Sequence, residues 1–298
     1  MKLKNLLWLI VISFIACSCA TSRNTSDTEY YKIDASYGYK GILEERFHNC
    51  TVPGPSTRRM YVYLPADYYE SDTRYPVFYL LHGARGNETS WIIKGNLLHQ
   101  VDSLMACGKM GKTIIVLPNT NQHKDDKDYN KSRIKGAVEA LFEVDGCVES
   151  AFVDDVVTTI DSLYRTIPQK QSRAIGGLSI GALQSIYISA THPDVFGYIG
   201  LFSPMRRPVF RYGDCSSLYK NLKGKHTVQF ENPPQLYWVM IGKNDIFYLS
   251  TKSYCKYLDK HNYIYERLYS KGGHDWYNWI DYCNMFMERL WKFQETQP

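Results

Sequence analysis

The sequence predicts an α/β protein: a mostly parallel sheet with helices on both faces. Three observations predict it. Short apolar runs alternate with stretches of helical period, the pattern of strands joined by crossover helices. No second linker and no repeat interrupts that pattern after Tyr37. The chain has 298 residues, 44% of them hydrophobic and 14% aromatic, which is ample for one large core.

The N-terminus comes first. "MKLKNLLWLIVISFIACSCATS" has two lysines, an apolar run from Leu6 to Ala16, then small residues and cysteines. The run is short for a membrane span and reads as a secretory leader. Its ending in "FIACSCA" resembles a bacterial lipoprotein signal over residues 1–19, with Cys17, or else Cys19, as the lipid-bearing residue. An exported protein held to a membrane by that lipid alone is the expectation, with an ordinary cleaved signal as the alternative. A polar tether over residues 20–36 leads to a folded domain over 37–298.

The strands follow in order. "MYVYLP", "PVFYLLHG" and "TIIVLP" read as the first three. Residues 119–150 are charged and aperiodic, and a loop of that length in a compact domain is usually functional or mobile. From Phe152 to Tyr164, Val153, Val156, Val157, Ile160, Leu163 and Tyr164 share one helical stripe. A strand at "SRAIGG", a helix from Ile180 to Ala190, and strands at "YIGLFS" and "QLYWVMIG" come next. A helix from Ser250 to Lys260, a strand at "IYERLY" and an amphipathic helix from Trp276 to Phe293 close the domain.

Charge and cysteine narrow the function. The net charge of +5 is mild and no basic block stands out, so nucleic acid is not an expected partner. Beyond Cys17 and Cys19, the cysteines are Cys50, Cys107, Cys147, Cys215, Cys255 and Cys283. Their spacing is wide and irregular with no CxxC pair, so a zinc site is not expected, and disulfide pairing stays open.

The chemistry gathers around Ser179. It stands in Gly177-Leu178-Ser179-Ile180-Gly181, where a short strand meets a helix. A nucleophile elbow requires that setting, because side chains at the flanking glycines would clash in so tight a turn. The helix that follows aims its first amides and positive dipole end at developing negative charge. The loop after "FYLLHG" supplies the second oxyanion donor in this architecture, so the backbone N–H groups of Ala84 and Ile180 are assigned that role. His82 reads as the residue holding that loop. Chain order asks next for an acid and a histidine. Asp245 emerges at the carboxyl end of "VMIGKND", and His274 lies in the loop "SKGGHDWYNW". Asp275 adjoins His274 but neighbouring loop side chains diverge, and Asp281 reads as a solvated or capping charge. His192 ends a helix; His48, His99, His123, His226 and His261 read as surface residues.

Here the blocks resemble a family. "RRMYVYLPADYY", "RYPVFYLLHG", "ETSW", "IIVLPN", "GGLSIGA", "HPDVFGYIGLFSP", "IGKNDIF" and "GGHDWYNWIDY" match, in order, those of the putative esterase family of α/β-hydrolases. That family includes the feruloyl and acetyl-xylan esterases of carbohydrate esterase family 1. Siderophore esterases, S-formylglutathione hydrolase and mycolyltransferases are related to it. The resemblance implies an α/β-hydrolase fold and a serine esterase acting on acylated polysaccharide or oligosaccharide. Ser179 would be the nucleophile, His274 the base then acid, and Asp245 the orienting carboxylate, with no cofactor. Trp91, Phe247, Tyr248 and Trp276 adjoin these motifs and are candidate contacts for a sugar or hydroxycinnamoyl ring; Trp279, one turn into the last helix, reads as buried. Arg85, Ala182 and Ile280 depart from the usual pattern. Siderophore esterase, acyltransferase and a silent carbohydrate-binding relative are the alternatives.

Overall fold

A computed structural model describes residues 38–121, 143–144, 146–206, 210–211 and 215–291. The leader with Cys17, the tether, His123 with most of the charged stretch, and the end of the last helix lie outside the described residues. No helix among the described residues is long and apolar enough to cross a membrane.

Eight strands form one sheet: β1 (Ile42–Asn49), β2 (Thr57–Leu64), β3 (Val77–Leu81), β4 (Ile114–Pro118), β5 (Arg173–Leu178), β6 (Tyr198–Phe202), β7 (Leu236–Gly242) and β8 (Glu266–Ser270). Their spatial order is β1-β2-β4-β3-β5-β6-β7-β8. β1 and β2 run antiparallel, β2 pairs antiparallel with β4, and every pairing from β4 to β8 is parallel. Parallel pairs need crossover helices, which the sequence supplies between successive strands. Beside a single turn at Ser90–Ile93, the helices are α1 (Leu97–Ala106), α2 (Cys147–Phe152), α3 (Thr158–Leu163), α4 (Ile180–Thr191), α5 (Leu222–Glu231), α6 (Tyr248–Lys260) and α7 (Trp276–Met287).

The two faces of the sheet hold two cores, sorted by the period of two along each strand. On β3, Val77, Tyr79 and Leu81 join Leu183, Ile186 and Tyr187 of α4 on one face. Phe78 and Leu80 point to the other face, with Trp91, Leu98 of α1 and Phe286 of α7. β1 is an edge strand carrying Glu44, Glu45 and Arg46, charges that discourage pairing with another chain.

Several expectations change. The helix expected over 152–164 begins earlier, at Cys147, and is divided by a π-helical turn over Val153–Val157. That wider turn advances the register, so Leu163 is 52% exposed whereas Tyr164 is buried. The expected surface positions of His48 and His226 are wrong: both side chains are buried. His48 occupies an inward-facing position of β1, and His226 sits within 6.3 Å of the rings of Phe230, Tyr237, Tyr254, Tyr257 and Tyr263. Burial pushes the His226 imidazole down to about 3. The six cysteines of the described residues stand outside any disulfide.

Candidate active site

The parallel strands deliver their carboxyl ends to one edge, and the polar residues of interest collect there. Ser179 follows β5 directly and adopts φ 55°, ψ −111°, a conformation that L-residues rarely occupy. Its neighbours explain how the turn is held. A Cβ on Gly177 would lie 2.7 Å from the Leu81 carbonyl oxygen, and one on Gly181 2.4 Å from that of His82. The Ser179 N–H donates to the Phe202 carbonyl at 2.9 Å, and Leu183 N–H closes the first turn of α4 on the Ser179 carbonyl at 3.1 Å. The strained serine is therefore fixed by two strands and a helix.

His274 comes from the loop between β8 and α7. Its Nε2 stands 3.1 Å from Ser179 Oγ, and its Nδ1 lies 2.9 Å and 3.1 Å from the two oxygens of Asp245. The Asp245 carboxylate is buried and also accepts the Phe247 N–H at 2.8 Å. A carboxylate can only accept, so it holds the proton of His274 on Nδ1 and leaves the Nε2 lone pair facing the serine. The imidazole is gripped edge-on by Phe247, with centroids 5.0 Å apart, and by Trp279, 4.8 Å apart. Trp279 is buried, as expected, and its indole N–H donates to Ser203 Oγ at 3.0 Å. Asp275 instead caps α7, accepting the Asn278 N–H at 3.1 Å, and Asp281 is exposed.

The loop after β3 lies against the elbow. A Cβ on Gly83 would come 2.3 Å from Leu178 Cδ1, so the loop leading to Ala84 lies against the side chain that ends β5. Ile180 is the first residue of α4. His82 braces this loop: Thr120 N–H donates to its Nε2 at 3.0 Å, so its proton sits on Nδ1, which donates to the Gly83 carbonyl at 2.8 Å. Thr120 in turn donates its hydroxyl to Gln184 of α4 at 3.0 Å, and Gln184 Nε2 returns a bond to the Thr120 carbonyl at 3.2 Å. Sequence reasoning missed Thr120 and Gln184, which meet only because the fold brings the end of β4 beside α4. Arg85 is exposed and adopts φ 56°.

The four aromatic candidates divide. Trp91 is only 2% exposed, donates its indole N–H to the Leu81 carbonyl at 3.0 Å and packs edge-on against Trp276 and Phe202. It is a core residue and offers no face to a ligand, contrary to expectation. Phe247 is likewise buried and serves His274. Tyr248 and Trp276 are half-buried: Tyr248 packs edge-on against Tyr269, while Trp276 lies beside Trp279 at 5.5 Å.

Known proteins share this arrangement of elements. The model of the family described as "Putative esterase" matches residues 55–253. An endo-1,4-beta-xylanase/feruloyl esterase of Xylanibacter ruminicola is 33% identical over 175 residues, 56% of this chain and 23% of that protein. The chain thus spans about a quarter of that relative's length. Among solved structures, a CE1 ferulic acid esterase from the anaerobic fungus Anaeromyces mucronatus superposes with a TM-score of 0.69 at 22% identity, covering 89% of this chain and 96% of that one. The feruloyl esterase module of Clostridium thermocellum, as a mutant complexed with sinapinate, gives 0.63 at 19% identity, covering 91% and 96%. The S-formylglutathione hydrolase of Staphylococcus aureus gives 0.58 at 18%, covering 84% and 98%, so the shared feature at this distance is the fold. By that family match and its α/β-hydrolase architecture, the chain belongs to the putative esterase family.

Proposed function

We propose that this protein is a serine esterase that releases feruloyl or similar acyl groups from polysaccharide through an acyl-enzyme on Ser179. The observation that carries the reading is the unbroken chain Ser179 Oγ, His274 Nε2, His274 Nδ1 and Asp245 at the carboxyl edge of the sheet. The feruloyl preference rests on the relative from Xylanibacter ruminicola.

In this mechanism His274 Nε2 takes the hydroxyl proton as Ser179 Oγ bonds to the ester carbon. The carbonyl π pair moves onto oxygen, and the N–H groups of Ala84 and Ile180 receive that oxyanion. Collapse re-forms the carbonyl and breaks the bond to the alcohol oxygen, which leaves with the proton from Nε2. Water then repeats the sequence, giving up its proton to His274 and freeing the acid and the serine hydroxyl. Trp276 and Tyr248 are the aromatic groups proposed to meet the substrate. The leader supports export, with Cys17 as the proposed membrane anchor.

A panel of methyl ferulate, acetylated xylan and a catecholate siderophore tests the assignment, with Ser179→Ala as the blank. The expected result is methyl ferulate turned over at least about 10-fold faster than the others, a difference near 1.4 kcal/mol in transition-state binding. Preference for the acetyl or siderophore ester would overturn the feruloyl reading. No hydrolysis of any of the three would replace it with carbohydrate binding alone.

A further inference from the structure

At the edge of the sheet remote from β8, a second polar cluster forms. His48 lies near the end of β1, Cys50 just past it, and Asp155 in the π-helical turn between α2 and α3. One donor atom from each, a ring nitrogen, a thiol sulfur and a carboxylate oxygen, falls within 4.8 Å of the others. Ligands of one tetrahedral ion, bound at roughly 2.0–2.3 Å, sit about 3–4 Å apart, so a small closure of side chains suffices.

The histidine supplies an independent pointer. His48 is buried, and its Nδ1 faces the Asn49 carbonyl at 3.0 Å, which places the ring proton there. Nε2 is left as a buried lone pair with no hydrogen-bond partner among the described residues. Such an acceptor calls for an explanation, and a metal ion provides one. The Asn49 carbonyl orients the imidazole, and Thr51 N–H holds one Asp155 oxygen at 3.0 Å. A π turn at a ligand position is also where such turns are commonly kept.

We propose that His48 Nε2, Cys50 Sγ and Asp155 bind a divalent cation of the zinc class, with water completing the coordination. The mixed nitrogen, sulfur and oxygen set suits that ion, whereas magnesium and calcium prefer oxygen alone. Binding makes three protein–metal bonds and breaks the Cys50 S–H bond, releasing one proton to solvent, with no change of oxidation state. Thiolate and carboxylate together neutralise the dication. Arg58, the cation beside Cys50, keeps the Asn121 carbonyl as its acceptor. Asn121 Nδ2 donates in turn to the Gly86 carbonyl at 2.8 Å, in the loop that carries Ala84. The irregular cysteine spacing hid this site, since Asp155 joins it only through the fold.

The test uses purified protein stripped with a chelator and titrated with zinc against a chromophoric competitor, with bound metal counted by elemental analysis. The expected result is one tight zinc per chain, weakened by at least about 10–100-fold in Cys50→Ser and in His48→Gln. Cobalt in place of zinc should give a thiolate-to-metal charge-transfer band that Cys50→Ser abolishes. Cys50 is half-buried, so its serine variant keeps the test valid if His48→Gln fails to fold. Zinc binding no tighter in the wild type than in Cys50→Ser, or a cobalt band that survives in that variant, would overturn the proposal.

Discussion

His274 and His226 are both enclosed by aromatic rings, yet the two regions make opposite uses of an imidazole. At the carboxyl edge, His274 has a carboxylate on one nitrogen and a hydroxyl on the other. In the nest between α5 and α6, His226 has the Tyr254 hydroxyl at 3.4 Å from Nε2 and nothing on Nδ1 among the described residues. No carboxylate among the described residues acts on it, and burial pushes its proton affinity down to about 3. Burial among the rings, reinforced by the nearby Arg206 and His261, therefore keeps this histidine neutral. In the proposed mechanism, the carboxylate at the end of β7 is what sets the other one as a base aimed at Ser179.

The sharpest way to break this contrast is Asp245→Asn, which leaves the shape but removes the acceptor that sets the His274 tautomer. A fall of about 10⁴-fold in kcat on an aryl ester is expected, with an unchanged circular dichroism spectrum. A smaller effect is expected from His82→Ala, which frees Thr120 N–H and the Gly83 carbonyl and loosens the loop bearing Ala84. A loss of about 10²-fold in kcat with little change in KM, comparable to losing one oxyanion donor, is the expected kinetic result. The smallest effect sharpens the other side of the comparison. His226 is neutral in both folded and unfolded chains above its ordinary value of 6.5. Below that, only the unfolded chain takes up the proton, so stability falls with acid by up to about 1.4 kcal/mol per pH unit until pH nears 3. His226→Gln should flatten the dependence of unfolding free energy on pH between 6.5 and 3 while leaving kcat at neutral pH unchanged.

Much of the catalytic edge was legible in the sequence because its geometry is local. The glycines around Ser179 are demanded by a turn of five residues, and Asp245 and His274 each stand at the end of a strand readable as an apolar run. Elements whose burial is not apolar were harder to read. β1 reads "ILEERFHN", a charged edge, and α5 buries His226 and Gln229 on its inner side, so neither shows a hydrophobic stripe. α1 does carry one, in Leu97, Leu98, Val101 and Leu104, and a period count extended into 97–106 finds it. Trp91 looked like a ligand contact because it adjoins the oxyanion loop in sequence. Its burial follows from Phe202 and Trp276, which only the fold brings to it.

The central claim is that Ser179 is made reactive by His274. Its most direct test is covalent labelling with a fluorophosphonate, read by intact mass and peptide mapping. One adduct per chain on the Ser179 peptide is expected, with labelling slowed by at least about 10³-fold in His274→Ala. Labelling at another residue, or an unchanged rate in His274→Ala, would contradict the account.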